Sequence, residues 1–189
     1  MDAPTTKSAL LWAMETGRSE WETLLSQIDE QALFEPGVEG VWSVKEIVAH
    51  IAGYEEYAAA LLTDRLETGA GAQAALDAFY QQQLNAYRHN HPDFPAQLND
   101  ADDDQTNALV VAVYNRYSAH AVLDHEHQTY LRLLAATRAV SDAQLTEPWR
   151  PNGRSLLEIL PNQSYQHYQT HMPAIRRWLE QRQQQTNDG

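Results

Sequence analysis

Cysteine is absent from this chain of 189 residues, which removes disulfides, thiolate metal sites and a cysteine nucleophile together. Any thiol chemistry must therefore arrive with a small-molecule partner. Basic residues are scarce: 13 Lys and Arg stand against 26 Asp and Glu, a net charge of −13 with His neutral. A phosphate backbone calls for a basic face, so nucleic acid is not an expected partner, and an anionic membrane surface is disfavoured for the same reason. No apolar run approaches the roughly 20 residues that a bilayer span needs. The first residues, Met1-Asp2-Ala3-Pro4-Thr5-Thr6-Lys7, lack the basic-then-apolar order of a secretory signal. With only 8 Gly and 8 Pro, the chain is neither collagen-like nor dominated by linkers. These absences predict a cytoplasmic globule, and the length predicts one domain over residues 1–189.

What remains is a helical pattern with almost no strand-like alternation. Leu10, Leu11, Met14, Trp21, Leu24, Leu25 and Ile28 recur at helical intervals and predict a first helix over 8–28. Ser43-Val44-Lys45-Glu46 is a capping box, in which hydroxyl and carboxylate satisfy amides left open at a helix start. The helix it opens carries Ile47, Val48, Ile51, Tyr54, Ala58, Leu61 and Leu62. A less regular crossover over about 67–104 follows, with a short helix expected at 72–87 and a proline-broken segment at His89-Asn90-His91-Pro92-Asp93-Phe94-Pro95. A third helical region spans about 106–137 with a break near Ser118, and a fourth runs from Ser155 to about Gln184, ahead of a Gln-rich tail expected to fray over 183–189. Leu33, Glu35, Pro36, Ser43, Glu46 and Ile47 recur as Leu145, Glu147, Pro148, Ser155, Glu158 and Ile159, all at an offset of 112. Six identities at one offset favour a duplicated helix pair over chance likeness of two capped junctions. Two pairs of helices predict an all-α four-helix bundle with a long crossover.

Eight histidines carry the chemistry that cysteine does not. His167 and His171 lie four apart, on one face of the fourth helix, whose stripe continues through Ala174, Ile175 and Trp178 into the bundle. His50 sits within the second helix beside Ile47, Ile51 and Tyr54. Three neutral imidazoles from two helices suit Zn²⁺ or a similar divalent ion with positions left open. The same three also suit hydrogen-bonded histidines of an ordinary helix. His120, Asp124 and His127 form a rival cluster on the third helix, for which a solvated stripe is the plainer reading. A di-iron carboxylate centre needs two Glu-x-x-His motifs, and the chain has none. H-E-x-x-H, a phosphate-binding Gly loop and G-x-S-x-G are absent as well.

The run from Trp42 to Ile51, W-S-x-x-E-I-x-x-H in outline, resembles the second-helix motif of the DinB/YfiT-like superfamily. The run from Tyr165 to Leu179, with its late H-Y-x-x-H, is similar to the fourth helix of that superfamily. The opening Thr5-Thr6-Lys7-Ser8-Ala9-Leu10-Leu11 and the Leu145 to Pro148 junction resemble its ClbS/DfsB-like branch in particular. The resemblance implies a DinB-like antiparallel bundle that self-associates, as a homodimer. In metal-binding members the ligands come from one histidine of the second helix and an H-x-x-x-H pair of the fourth. His50, His167 and His171 match those positions, for Zn, Ni, Mn or Fe. The activities implied are those of a metal-dependent hydrolase or thiol transferase acting on a small electrophile, in detoxification or self-protection. Tyr54 and Glu55 are the proton-handling candidates beside such a site. The competing reading is a metal-free protein that sequesters a small molecule on Trp42, Tyr54 and Trp178.

Overall fold

Residues 3–67, 71–148 and 153–187 are described by the structure, a computed structural model. Thr6 opens helix α1 (Lys7–Leu25) by accepting from the Ala9 amide at 3.2 Å. The Ser43–Glu46 capping box opens α2 (Val44–Glu67), with Ser43 N donating to Glu46 Oε2 at 2.8 Å and Glu46 N donating to Ser43 Oγ at 3.3 Å. Asp64, near the end of α2, accepts from the amides of Ala72 at 2.7 Å and Gln73 at 3.1 Å and so starts α3 (Gly71–Tyr87). After a loop holding His89 and His91, Asp102 and Gln105 cap α4 (Asp103–Asn115), and Ser118 caps α5 (Ala119–Ala139). Two short helices, α6 (Asp142–Thr146) and α7 (Leu156–Ile159), lead into α8 (Tyr165–Asn187). Among the described residues there is no strand, only isolated bridges at Glu39–Trp42 and Pro148–Ser155. No described helix is long and apolar enough to cross a membrane.

The four long helices α1, α2, α5 and α8 form the bundle that the periodicity predicts. α2 packs most extensively on α5, and α1 on α8, while α3 and α4 cover the outer side of α2. The core is continuous from Leu10, Met14 and Trp21 on α1 through Ile47, Ile51 and Leu62 on α2 to Leu133 on α5 and Tyr168 and Ile175 on α8, all buried. Gly17 lets α1 and α8 meet closely: a Cβ there would stand 2.6 Å from Tyr165 Cβ.

The predicted break near Ser118 is real. The fourth helical region, expected as one helix from Ser155, is two. Pro161 has no amide and crowds the preceding turn, so α7 stops after one turn and the chain restarts at Tyr165. α8 then continues to Asn187, further than the tail composition suggested, and residues 188–189 lie outside those described. The repeat is visible as repeated hydrogen bonding: Ser155 and Glu158 reproduce the Ser43–Glu46 box, at 2.7 Å and 3.3 Å for the corresponding bonds. The paired acids match too, since Glu35 holds Arg182 on α8 while Glu147 holds Arg65 on α2.

Candidate metal centre

His50 lies in the second turn of α2, where the capping box sets the start of the helix and Ile47 and Ile51 fix its rotation in the core. His167 and His171 lie one turn apart in the first half of α8. The bundle brings all three together as buried side chains, with one ring nitrogen from each within 4.8 Å of the others. His50 Nε2 and His167 Nε2 are 2.9 Å apart. His171 Nδ1 lies 2.6 Å from Glu39 Oε2, so that nitrogen carries the proton and Nε2 keeps its lone pair. Nδ1 of His50, Nδ1 of His167 and Nε2 of His171 are buried without a well-formed hydrogen bond. No other described group of His, Asp or Glu side chains meets in this way.

The electrostatics favour neutral rings at His50 and His167. Burial, then the neighbouring His171, pushes the His50 value down to about 4, with Asn107 pulling weakly the other way. Burial, followed by His50 and His171, pushes His167 down to about 3. A neutral imidazole is the form that ligates a metal. The residues fit a divalent ion: three lone pairs, a carboxylate fixing one tautomer, and an apolar surround. Bonds of about 2.0–2.1 Å at a tetrahedral ion place nitrogens roughly 3.4 Å apart, within side-chain adjustment of this arrangement.

Tyr54 is beside the rings, its centroid 4.8 Å from that of His50 and 4.4 Å from that of His167. Its hydroxyl donates to Asn107 Oδ1 at 3.3 Å, and burial, then Asp103, raises its pKa, so it stays protonated. Trp42 covers the other side of His50 at 5.1 Å. Glu55 is elsewhere. Five residues beyond His50, roughly 140° further round the helix, it is fully buried, and Tyr168 donates to it. Arg18 with Glu126, and the Trp21 indole donating to Glu126 at 3.2 Å, complete this core network. Burial, then the Glu126 charge, holds Glu55 well above the ordinary carboxylate range; Arg18 pairs with Glu126 instead. Trp178 is buried on α8 with the Arg182 guanidinium 5.1 Å above its ring, among different neighbours.

The rival cluster does not assemble. His120 and Asp124 are exposed and pair with each other at 3.2 Å, while His127 meets Arg18 and Glu22 on the α1 side. His91 stacks on Tyr87 and closes the end of α3. Sequence reasoning missed Glu39 and Asn107. Glu39 comes from a loop 132 positions from His171. No spacing rule reaches that far. Asn107 is an uncharged residue of α4 with no motif around it.

A family model described as the DinB superfamily matches residues 13–172. This chain belongs to the DinB superfamily. Among solved structures it is similar to an uncharacterised protein from Escherichia coli UTI89, with a TM-score of 0.73 and 14% identity over 96% of each chain. It is similar to the colibactin self-resistance protein ClbS in complex with double-stranded DNA, with a TM-score of 0.66 and 16% identity over 93% of this chain and 96% of the other. A Streptococcus pneumoniae protein aligns with a TM-score of 0.68 and 12% identity over 95% of this chain and 93% of its own. At these identities the likeness is one of fold. No curated protein matches the sequence. The ClbS complex corrects the expectation that excluded nucleic acid on net charge, because a DinB-like bundle does hold a DNA duplex. Net charge is a total over the whole surface, whereas phosphates are contacted by a few local groups, so −13 does not decide the question.

Proposed function

We propose that this DinB-superfamily chain is a metal-dependent enzyme, a hydrolase or thiol transferase acting on a small electrophilic molecule. The observation that carries the reading is the set of three buried imidazoles whose ring nitrogens converge, with His171 held by Glu39 through Nδ1. His171 Nε2 is buried without a partner, which costs about 1–3 kcal/mol, and coordination of an ion there satisfies it. When bound, a divalent ion such as Zn²⁺, Ni²⁺, Mn²⁺ or Fe²⁺ lowers the pKa of a water or a ligand thiol and supplies a nucleophile near neutral pH.

The chain's own residues do the rest. Glu39 keeps the His171 proton on Nδ1, and burial keeps His50 and His167 uncharged. A cleft of about 280 Å³, lined by Gly53, Tyr54, Tyr57, Tyr80 and Val110, lies beside the site and shares Tyr54 with it. That lining suits an apolar or aromatic body. Tyr54, protonated and in contact with two of the histidines, is the proton donor to the group that leaves. Glu55 acts as a positioning residue: by accepting from Tyr168 it anchors the turn of α8 that carries His167. Zero cysteine fits a thiol brought in by a cosubstrate, and it fits attack by water equally well.

Metal content decides the reading. Untagged protein loaded with each ion in turn and then dialysed should hold one equivalent per chain, and His167→Ala should hold none. Sub-stoichiometric metal in the unaltered protein after loading would end the enzyme reading. Loaded protein is then incubated with epoxide and alkyl halide panels, with and without a low-molecular-weight thiol, and products are followed by mass spectrometry. A second reading, non-catalytic sequestration, rests on the aromatic cleft itself. Saturable tryptophan quenching without product would select it. A salt-dependent duplex DNA titration of the same preparation tests whether DNA binding extends to this chain.

A further inference from the structure

A second cavity, of about 710 Å³, opens between α2, α3, α4 and α5. It lies on a different face of α2 from the histidine triad, because Glu56 is six residues beyond His50 and so roughly 120° away round the helix. Alanines 59, 60, 72, 75 and 121 leave the space, and the half-exposed rings of Phe79 and Tyr117 border it. α3 forms one wall, held in place by the Asp64 carboxylate at its first amides.

The polar groups lining this cavity are organised. Glu56 accepts from Tyr80 at 2.9 Å and from Tyr114 at 3.1 Å on one oxygen, and its other oxygen lies 2.9 Å from His125 Nε2. Three donors satisfy the carboxylate, so it stays ionised despite its burial. The contact places a proton on His125 Nε2 and leaves Nδ1 as the free ring nitrogen. No described protein group bonds that Nδ1. Two turns further along α5, about 10 Å away, Arg132 lines the same cavity. Its hydrogen bond goes to the Thr129 hydroxyl at 2.7 Å, and no carboxylate among the described residues pairs with it.

We propose that this cavity is a second small-molecule site, separate from the metal centre, for a flat aromatic ligand with a hydroxyl at one end and a carboxylate or similar anion about 10 Å away. His125 Nδ1 hydrogen-bonds the hydroxyl, with Glu56 holding the imidazole in place. Arg132 receives the anion, and Phe79 and Tyr117 flank the ring system. The alanines set the thickness of the slot.

The probe is 6-hydroxy-2-naphthoate, which carries both end groups; 2-naphthoate lacks the hydroxyl and 2-naphthol lacks the carboxylate. Calorimetric titration of the full chain should show saturable binding of the first probe, about tenfold tighter than either of the others, as one hydrogen bond or ion pair per end requires. His125→Ala should bring 6-hydroxy-2-naphthoate down to the affinity of 2-naphthoate. Arg132→Ala should bring it down to that of 2-naphthol. His167→Ala should leave all three affinities unchanged, so failure of the metal reading would not carry this proposal with it. Amide NMR shifts of the unaltered protein should map the probe to Ala75, Phe79 and Ala121, which guards against a His125 variant that merely unfolds. Equal affinities for the three probes, no saturation at millimolar concentration, or shifts centred on the triad would each overturn it.

Discussion

Glu39 is the single side chain on which the chemistry of the triad turns most. It sits in the loop before α2 and reaches across to His171, where its carboxylate leaves one ring nitrogen available. Removing such an outer carboxylate costs about 10–100-fold in metal affinity. Glu39→Ala should show that loss in chelator competition while its metal-free melting curve stays close to that of the unaltered protein, because the residue is half-exposed in a loop. Unchanged affinity would mean that His171 does not need the carboxylate. Glu55 makes a different prediction, about protons. Its pKa is raised in the fold by burial and by Glu126 from an ordinary 4.5. A raised value means that the folded state keeps a proton which the unfolded chain has released. That contribution to stability is complete below pH 4.5 and is lost as the pH rises towards the folded value. Glu55→Gln keeps an oxygen for Tyr168 and no longer titrates. Calorimetry from pH 5 to 9 should therefore give a flatter decline of melting temperature for this variant, and two parallel profiles would refute the protonated Glu55.

At the level of the helices, the site depends on how α8 is seated against α1 and α2. Gly17 permits the close approach to Tyr165, two residues before His167. Gly17→Ala must push against a backbone-proximal atom, which costs about 1–3 kcal/mol and lowers the melting temperature by about 2–4 °C per kcal/mol in a chain of this size. Because the displaced element carries two of the three ligands, metal affinity should fall in the same variant. Full affinity at reduced stability would show that α8 shifts without moving its histidines. Ser155→Ala removes the cap of α7 and should cost about 1 kcal/mol, with little effect on the metal. Capping boxes and the Ser118 break are legible in sequence because their bonds join residues three apart. The Pro161 break was less so: the cap at Ser155 and the later apolar stripe both read as one helix, and the proline interrupts them only for five residues.

For the molecule as a whole, the proposed metal would be held jointly by α2 and α8 and would tie two parts of the bundle together. An ion that binds the folded state alone stabilises it by about 2.7 kcal/mol at a hundred times its dissociation constant. Saturating Zn²⁺ or Ni²⁺ should accordingly raise the melting temperature by several degrees, and the same ions should leave His50→Ala unshifted. An equal rise in both would place the metal elsewhere on the surface. Charge also belongs to this scale. A net −13 describes the protein as a whole, yet ClbS, a protein of similar fold, is seen in complex with duplex DNA.

Much of this protein is written in short-range pattern. The helical period and the capping boxes specify an all-α bundle, and the absence of cysteine excludes thiolate from any metal site. The i, i+4 pair on α8 and the helix carrying His50 are visible for the same reason: a helix converts spacing into direction. The tertiary structure alone decided that His50 meets the other two across 117 positions of chain, that Glu39 takes one nitrogen, and that Glu55 looks away into the core with Arg18 and Glu126. It likewise decided that Glu56, His125 and Arg132 share a cavity. Each of these depends on which helix packs against which and at what rotation, and that is settled by burial of the whole apolar surface at once rather than by any local run of residues.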